Sequence, residues 1–163
     1  MNASAQVWRT HAGMAVFWVA MLGGMYLLMD YWQAPKAAQV QADGAVQLQR
    51  HRDGHFYAQG SIDGVPVLFM IDTGASAIAV TDALAEKAGL QGGERAVFRT
   101  ANGEREGRMV RAGAVRVGPL LVRDLMVGTG YTSSSEDSSL LGQNFLRHFD
   151  VLIRGDVMHI QSR

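Results

Sequence analysis

At 163 residues, with 15 basic and 15 acidic side chains and a formal net charge of zero, the chain has room for one modest domain plus an appendage and lacks the basic surplus of a nucleic-acid binder. No nucleic acid is expected among its partners. The absence of cysteine excludes disulfides, zinc–thiolate sites and thiol catalysis.

The first distinctive stretch in chain order is AGMAVFWVAMLGGMYLLM, residues 12–29, which carries no charged side chain. As a helix rising about 1.5 Å per residue it would reach roughly 27 Å, close to the hydrocarbon thickness of a bilayer. Trp8 before it and Tyr26, Tyr31 and Trp32 near its other end suit the aromatic belts of a membrane interface. The run exceeds the roughly 7–15 apolar residues of a signal peptide, and no small-x-small cleavage site follows Met29. Residues 12–32 are therefore expected to be a retained transmembrane anchor in the lipid bilayer, with 1–11 as an N-terminal tail. Arg9 and the α-amine before the span, against Lys36 after it, favour a cytoplasmic N-terminus and put the rest of the chain on the far side of the membrane.

Residues 33–45 hold Pro, Ala and Gln with little to bury and read as a linker; a folded domain is expected over 46–163. It opens with alternating segments, AVQLQRHR, HFYAQGSI and VPVLFMI, separated by Asp53-Gly54 and Asp63-Gly64, dipeptides that mark tight hairpins. The third segment runs straight into Asp72. A carboxylate behind a buried strand is costly unless it is satisfied or its proton is used. In Asp72-Thr73-Gly74-Ala75-Ser76 the glycine permits a sharp turn and close approach, while the hydroxyls of Thr73 and Ser76 can hydrogen-bond the acid. For an isolated acid before a glycine-containing turn, a backbone cap or half of an ion pair is the commoner explanation.

TDALAEKAGL follows as a short helix, with Thr81 as N-cap, Asp82 at the positive end of its dipole and Gly89 at its C-terminal end. Strands resume in ERAVFRTANGEREGRMVRAGAVRVG, where Asn102-Gly103 marks the tip of a charged hairpin projecting into solvent. Gly118-Pro119 is a turn, LLVRDLMV a strand and GTGYTSSSEDSS a loop. The chain closes with Leu140-Leu141-Gly142, a helical turn and a hairpin at Gly155-Asp156. Short strands at close spacing with one brief helix predict an all-β domain built as a small closed or partly closed barrel.

In order and spacing, the apolar strand, the Asp72–Ser76 pentapeptide, the short helix, the charged hairpin and Leu-Leu-Gly about 65 residues beyond the acid resemble the retropepsin-like aspartic proteases, specifically their small membrane-anchored bacterial members. The resemblance runs from about Phe56 to Ile160. It implies a retropepsin-like acid-protease barrel, a peptide or protein substrate, a place in the bacterial inner membrane with the protease domain on the periplasmic or external side, and neither cofactor nor metal. It makes Asp72 the catalytic acid, Thr73, Gly74, Ala75 and Ser76 its supporting loop, and Leu140, Leu141 and Gly142 the apolar-apolar-Gly element beside it. Asn102 and Gly103 then belong to a flap over the substrate.

Such chemistry needs two carboxylates sharing one proton, one acting as base on a water and the other polarising the scissile carbonyl. Asp43, Asp63 and Asp156 lack the Thr/Ser-Gly sequel. The second acid is therefore expected from a second copy, as a twofold homodimer. The alternative from a different class is a catalytically inactive dimeric module that binds an extended peptide by strand addition. His51 and His55 flank the Asp53-Gly54 turn, which argues against a shared helical metal face. Ser76 lacks the G-x-S-x-G context of a serine nucleophile.

Overall fold

The computed structural model describes residues 3–33, 38–41, 44–100, 103–133 and 138–163. It divides into two compact units, Met1–Pro35 and Lys36–Arg163. The first is a single helix, α1 (Ala3–Gln33), of 31 residues, about 46 Å long at the usual rise. Phe17, Trp18, Val19, Leu22, Leu27 and Leu28 along it are all exposed. Among the described residues no helix is long and apolar enough to cross a membrane; the side chains of Ala12 and Asp30, both within the expected span, lie outside that set.

The second unit contains β1 (Gln39–Val40), β2 (Val46–Gln49), β3 (Phe56–Ile62), β4 (Val65–Ile71), β5 (Ile78–Val80), α2 (Asp82–Lys87), β6 (Glu94–Thr100), β7 (Gly103–Val117), β8 (Leu120–Gly128), β9 (Ser138–Leu141), α3 (Gln143–Leu146), β10 (Phe149–Arg154) and β11 (Val157–Ser162). The larger sheet runs β3-β4-β9-β5-β8-β7-β6, and β3 also pairs with β7. The strands from β3 to β7 therefore close on themselves as a barrel, and β6 stands outside the ring as the second arm of a hairpin on β7. This is the closed all-β architecture that short alternating strands predict. Alternate residues fill the barrel: Val67, Phe69 and Ile71 from β4, Ile78 and Val80 from β5, and Val115 and Val117 from β7 are buried. A smaller sheet, β1-β2-β11-β10, lies beside it in the same unit.

Two local expectations are corrected. Asp53-Gly54 does not close a simple hairpin: beyond an isolated Arg50–Phe56 bridge, β2 pairs with β11 and β3 with β4. The chain changes sheets at this turn, because Val46 and Leu48 bury their side chains where β11 supplies the edge. Second, Thr100 pairs with Gly103, so Gly103 opens β7 and is not a central turn residue; Asn102 lies outside the described residues. Gln39–Val40, within the stretch read as linker, pair with Val46 and Gln47. The Asp63-Gly64 hairpin forms as its sequence predicts, with both residues at positive φ (49° and 86°), the requirement of its turn type. Helix α2 also forms as predicted: Thr81 Oγ1 accepts from the Leu84 N–H at 3.1 Å, and Gly89 takes φ +67° just past its end.

Candidate active site

Asp72 sits where β4 leaves the barrel wall. β4 is flanked on both sides, Ile71 facing Phe56 of β3 and Leu141 of β9, and the Asp72 N–H donates to the Leu141 carbonyl at 3.1 Å. The backbone bearing the acid is thus the last rung of a paired, buried strand. The chain then turns, Ala75 N–H donating to the Asp72 carbonyl at 3.2 Å. The carboxylate Oδ1 accepts from the Gly74 N–H at 2.8 Å. A Cβ on Gly74 would lie 3.2 Å from that same oxygen. Gly74 therefore serves close approach to the carboxylate, and its backbone N–H takes the part that hydroxyls were expected to play. The acid is only half-buried, and Thr73, Gly74 and Ser76 are exposed. One side of the loop is open.

The other side is braced by the β9–α3 junction. A Cβ on Gly142 would fall 2.4 Å from the Ala77 carbonyl oxygen and 2.8 Å from that of Ala75, so only glycine lets the two segments touch. Just beyond it, the first N–H groups of α3, which have no partner within a helix, are used on the loop. Gln143 N–H donates to Ala75 at 2.8 Å and Asn144 N–H to Ser76 at 3.1 Å. The side chains extend the pattern. Gln143 Nε2 donates to the Thr73 carbonyl at 3.0 Å; Asn144 Oδ1 accepts from Ile78 N–H at 3.0 Å, and its Nδ2 donates to the Met126 carbonyl at 2.7 Å. Leu141 is buried beneath them. Gln143 and Asn144 escaped the sequence reading; the available signal was a pair of amide side chains at the start of a helical turn after Leu-Leu-Gly.

Met70, Leu140 and Ala79 stand in register across β4, β9 and β5 and are half-buried, forming a wall next to Asp72. Tyr57 faces Met70 across β3 and β4, its hydroxyl 2.7 Å from Asp53 Oδ2 and 3.5 Å from Met70 Sδ. Tyr131 is held by its N–H on the Val80 carbonyl at 3.0 Å. Burial and then the charge of Asp72 push its phenol up, which puts this ring within electrostatic reach of the acid. Burial, followed by the hydrogen bond to Asp53, raises Tyr57 to about 12. At Asp53, burial pushes upward. The His55 N–H, the Tyr57 hydroxyl and His51 outweigh it and bring the carboxyl down to about 2.

The β6–β7 hairpin is mostly exposed and is gripped at its root. A Cβ on Gly107 would lie 2.1 Å from the Thr129 carbonyl oxygen, and Thr129 N–H donates to the Arg108 carbonyl at 2.8 Å. Thr129 precedes Tyr131 by two residues, so one short segment both clamps this hairpin and borders the acid. A crevice of about 880 Å³ between α2 and the hairpin root is lined by Asp82, Glu86, Arg95, Glu106 and Arg108 among others and does not include Asp72.

The family model described as "gag-polyprotein putative aspartyl protease" matches residues 58–148. A crystal structure of a retropepsin-like aspartic protease from Rickettsia conorii is similar with a TM-score of 0.62 and 32% identity, over 72% of this chain and 89% of that one. An uncharacterized protein in the cobV 5′ region of Sinorhizobium sp is 33% identical over 121 residues, 72% of this chain and 52% of the relative. The uncharacterized protein RP867 of Rickettsia prowazekii is 32% identical over 116 residues, 65% of this chain and 46% of the relative. The chain thus spans about half the length of these curated relatives.

Proposed function

From the premise that this chain belongs to the retropepsin-like aspartic proteases, we propose that it is an aspartic endopeptidase whose catalytic acid is Asp72, working as a homodimer in which two Asp72 side chains share one proton. The observation that carries this reading is the half-open loop: the protomer braces Asp72 from behind through Gly142, Gln143 and Asn144 and leaves its front exposed. A second copy of the same loop facing it across a twofold axis would supply the missing half.

In that arrangement the ionised member takes a proton from a bound water as it attacks the peptide carbonyl, and the protonated member donates to the carbonyl oxygen. As the C–N bond breaks, the carboxyl that took the water proton gives it to the leaving nitrogen while the other takes a hydroxyl proton back from the gem-diol, so the products are an acid and an amine and the pair still holds one proton. The Gly74 N–H holds one oxygen of each carboxylate, which leaves the other free to face the water. The Met70, Leu140, Ala79 and Tyr131 wall favours an apolar or aromatic residue of an extended peptide beside the scissile bond. The β6–β7 hairpin serves as the flap, with its grip at Gly107 and Thr129 as the hinge.

We further propose that α1 anchors the enzyme in a lipid bilayer through residues 12–32, with the protease unit on the periplasmic or external side of a bacterial inner membrane. The exposed apolar side chains from Phe17 to Leu28 support this, since water is a poor solvent for such a surface. Tethering in one membrane would raise the effective concentration of protomers and favour pairing.

The direct test is cleavage of an unbiased peptide library by residues 36–163, a compact unit of its own, beside the same fragment with Asp72→Asn. Cleavage lost in the variant is expected, within a pH band where the pair holds a single proton. Bound but uncut peptides at every pH, at concentrations where the fragment is dimeric, would replace the enzyme by a peptide-binding module.

A further inference from the structure

We infer, on the endopeptidase reading proposed above, that Tyr57 is a positioning residue: a carboxylate clamp in the β2–β3 turn holds it, and it in turn pins Met70 and fixes the shape of the wall that meets the substrate beside Asp72. His51, Asp53 and His55 have no part in the chemistry at Asp72. The clamp gives them one.

The clamp begins with a tight turn. His51 N–H donates to the His55 carbonyl at 2.8 Å and Gly54 N–H to the His51 carbonyl at 3.0 Å. Arg50 Nη1 donates to the Gly54 carbonyl at 2.9 Å, and its guanidinium lies 4.5 Å over the Phe56 ring. Inside this frame Asp53 Oδ1 accepts from the His55 N–H at 2.9 Å and has His51 Nδ1 at 3.2 Å and His55 Nδ1 at 3.4 Å. Oδ2 is left to Tyr57, whose hydroxyl donates to it at 2.7 Å. Asp53 is ionised at neutral pH, and a hydrogen bond to an ionised acceptor is short and strong. His51 also packs edge-on against the Tyr57 ring at 5.4 Å. Ring and hydroxyl are therefore both fixed from the turn.

What Tyr57 fixes follows from register. Asp63-Gly64 is a two-residue connection, so Ile62 and Val65 exchange hydrogen bonds and, by alternation along the ladder, Tyr57 and Met70 form a non-hydrogen-bonded pair. Pro66, which has no N–H to give, falls in the same set opposite Ser61. Side chains of such pairs approach most closely, and the Tyr57 oxygen meets Met70 Sδ at 3.5 Å. Met70 stands two residues before Asp72 and in register with Leu140. Tyr57 is within electrostatic reach of Tyr131, the ring that also feels Asp72, so clamp and acid border the same space. A methionine side chain turns about three bonds and adapts to whatever lies beside it. With its sulfur held, Met70 becomes a wall of fixed shape. A fixed apolar wall separates side chains by roughly 10- to 200-fold per methylene, and a wall that re-packs loses that separation.

The test uses the full chain in detergent micelles and peptides that the parent cleaves, varied beside the scissile bond from Ala through Leu to Phe. Tyr57→Phe, which removes only the hydroxyl, is expected to narrow the spread of kcat/KM across this set by roughly fivefold or more, chiefly through KM. In a Met70→Leu chain the same substitution should change the spread by less than about twofold, because the coupled partner is gone. The Met70 methyl resonance, in chains labelled with carbon-13 at methionine and assigned by its loss in Met70→Leu, gives a second readout. In Tyr57→Phe it should sharpen and move to the position of a freely rotating side chain. A Tyr57→Phe chain with a lower Tm but the same spread and the same Met70 resonance would reduce Tyr57 to a structural residue. Equal narrowing with and without Met70 would overturn the route through its sulfur. A parent chain that cuts no peptide would instead overturn the endopeptidase reading, and the positioning role with it.

Discussion

The Asp72 loop and the β6–β7 hairpin face opposite demands. The loop spends its backbone groups inward: the N–H of Asp72 on Leu141, the carbonyls of Ala75 and Ser76 on α3, and that of Thr73 on the Gln143 side chain. The hairpin beyond Met109 forms its strand pairing within itself, leaves Val97 61% exposed and is gripped at its root, through Gly107 and Arg108, by Thr129. In the proposed enzyme, an acid that must meet a reacting bond needs positioning by a packed shell, whereas a cover that must admit a long peptide needs freedom beyond a fixed root. The difference predicts that substitutions behind the loop cost stability and activity together, and that those on the hairpin cost activity alone.

The severest break on the loop side is Gly142→Ala. Its methyl would overlap the Ala77 and Ala75 carbonyls, and because these are backbone atoms the loss should reach about 3 kcal/mol or more, visible as a lower Tm together with loss of cleavage. Asn144→Ala comes next. It leaves the Ile78 N–H and the Met126 carbonyl without their amide, for about 2 kcal/mol by chemical denaturation, with kcat falling more than KM rises. On the hairpin side, Val97→Ser should leave stability within about 0.5 kcal/mol while reducing kcat/KM toward long peptides and sparing short ones. A large Tm loss from Val97→Ser, or none from Gly142→Ala, would erase the contrast.

The smallest expected effect concerns the β2–β3 turn. Asp53 is held down to about 2, so its contribution is present above its ordinary value near 4 and is lost as pH falls toward 2. Tyr57 is held up to about 12, so its contribution is present below pH 10 and is lost as pH rises toward 12. Asp53→Asn should flatten the acid limb of the stability profile and bring one tyrosine ionisation back toward 10, read by tyrosinate absorbance. The change will be modest, since the Asp53 side chain is 42% exposed and water screens its partners.

Much of the site was legible from local chemistry. An apolar run ending in Asp-Thr-Gly places the acid at a strand end, Asp63-Gly64 and Gly155-Asp156 announce their hairpins, and Thr81 and Gly89 bound α2; each signal acts within a few residues. Other features depend on distant partners. Nothing local to Val46–Gln49 says that this strand joins β11, more than a hundred residues away, in preference to its neighbour β3. Nothing local to Asn144 says that its amide reaches both Ile78 and Met126.

Alternation and turn residues determined, from the sequence by itself, which faces are apolar and where the chain reverses, because backbone conformation and side-chain direction are set within a few bonds. Which strand edges meet, how far Asp72 is shielded and what braces its loop were decided only by the tertiary structure. A strand carries two identical rows of hydrogen-bonding groups, and it is the packing of the barrel core that selects the neighbour for each.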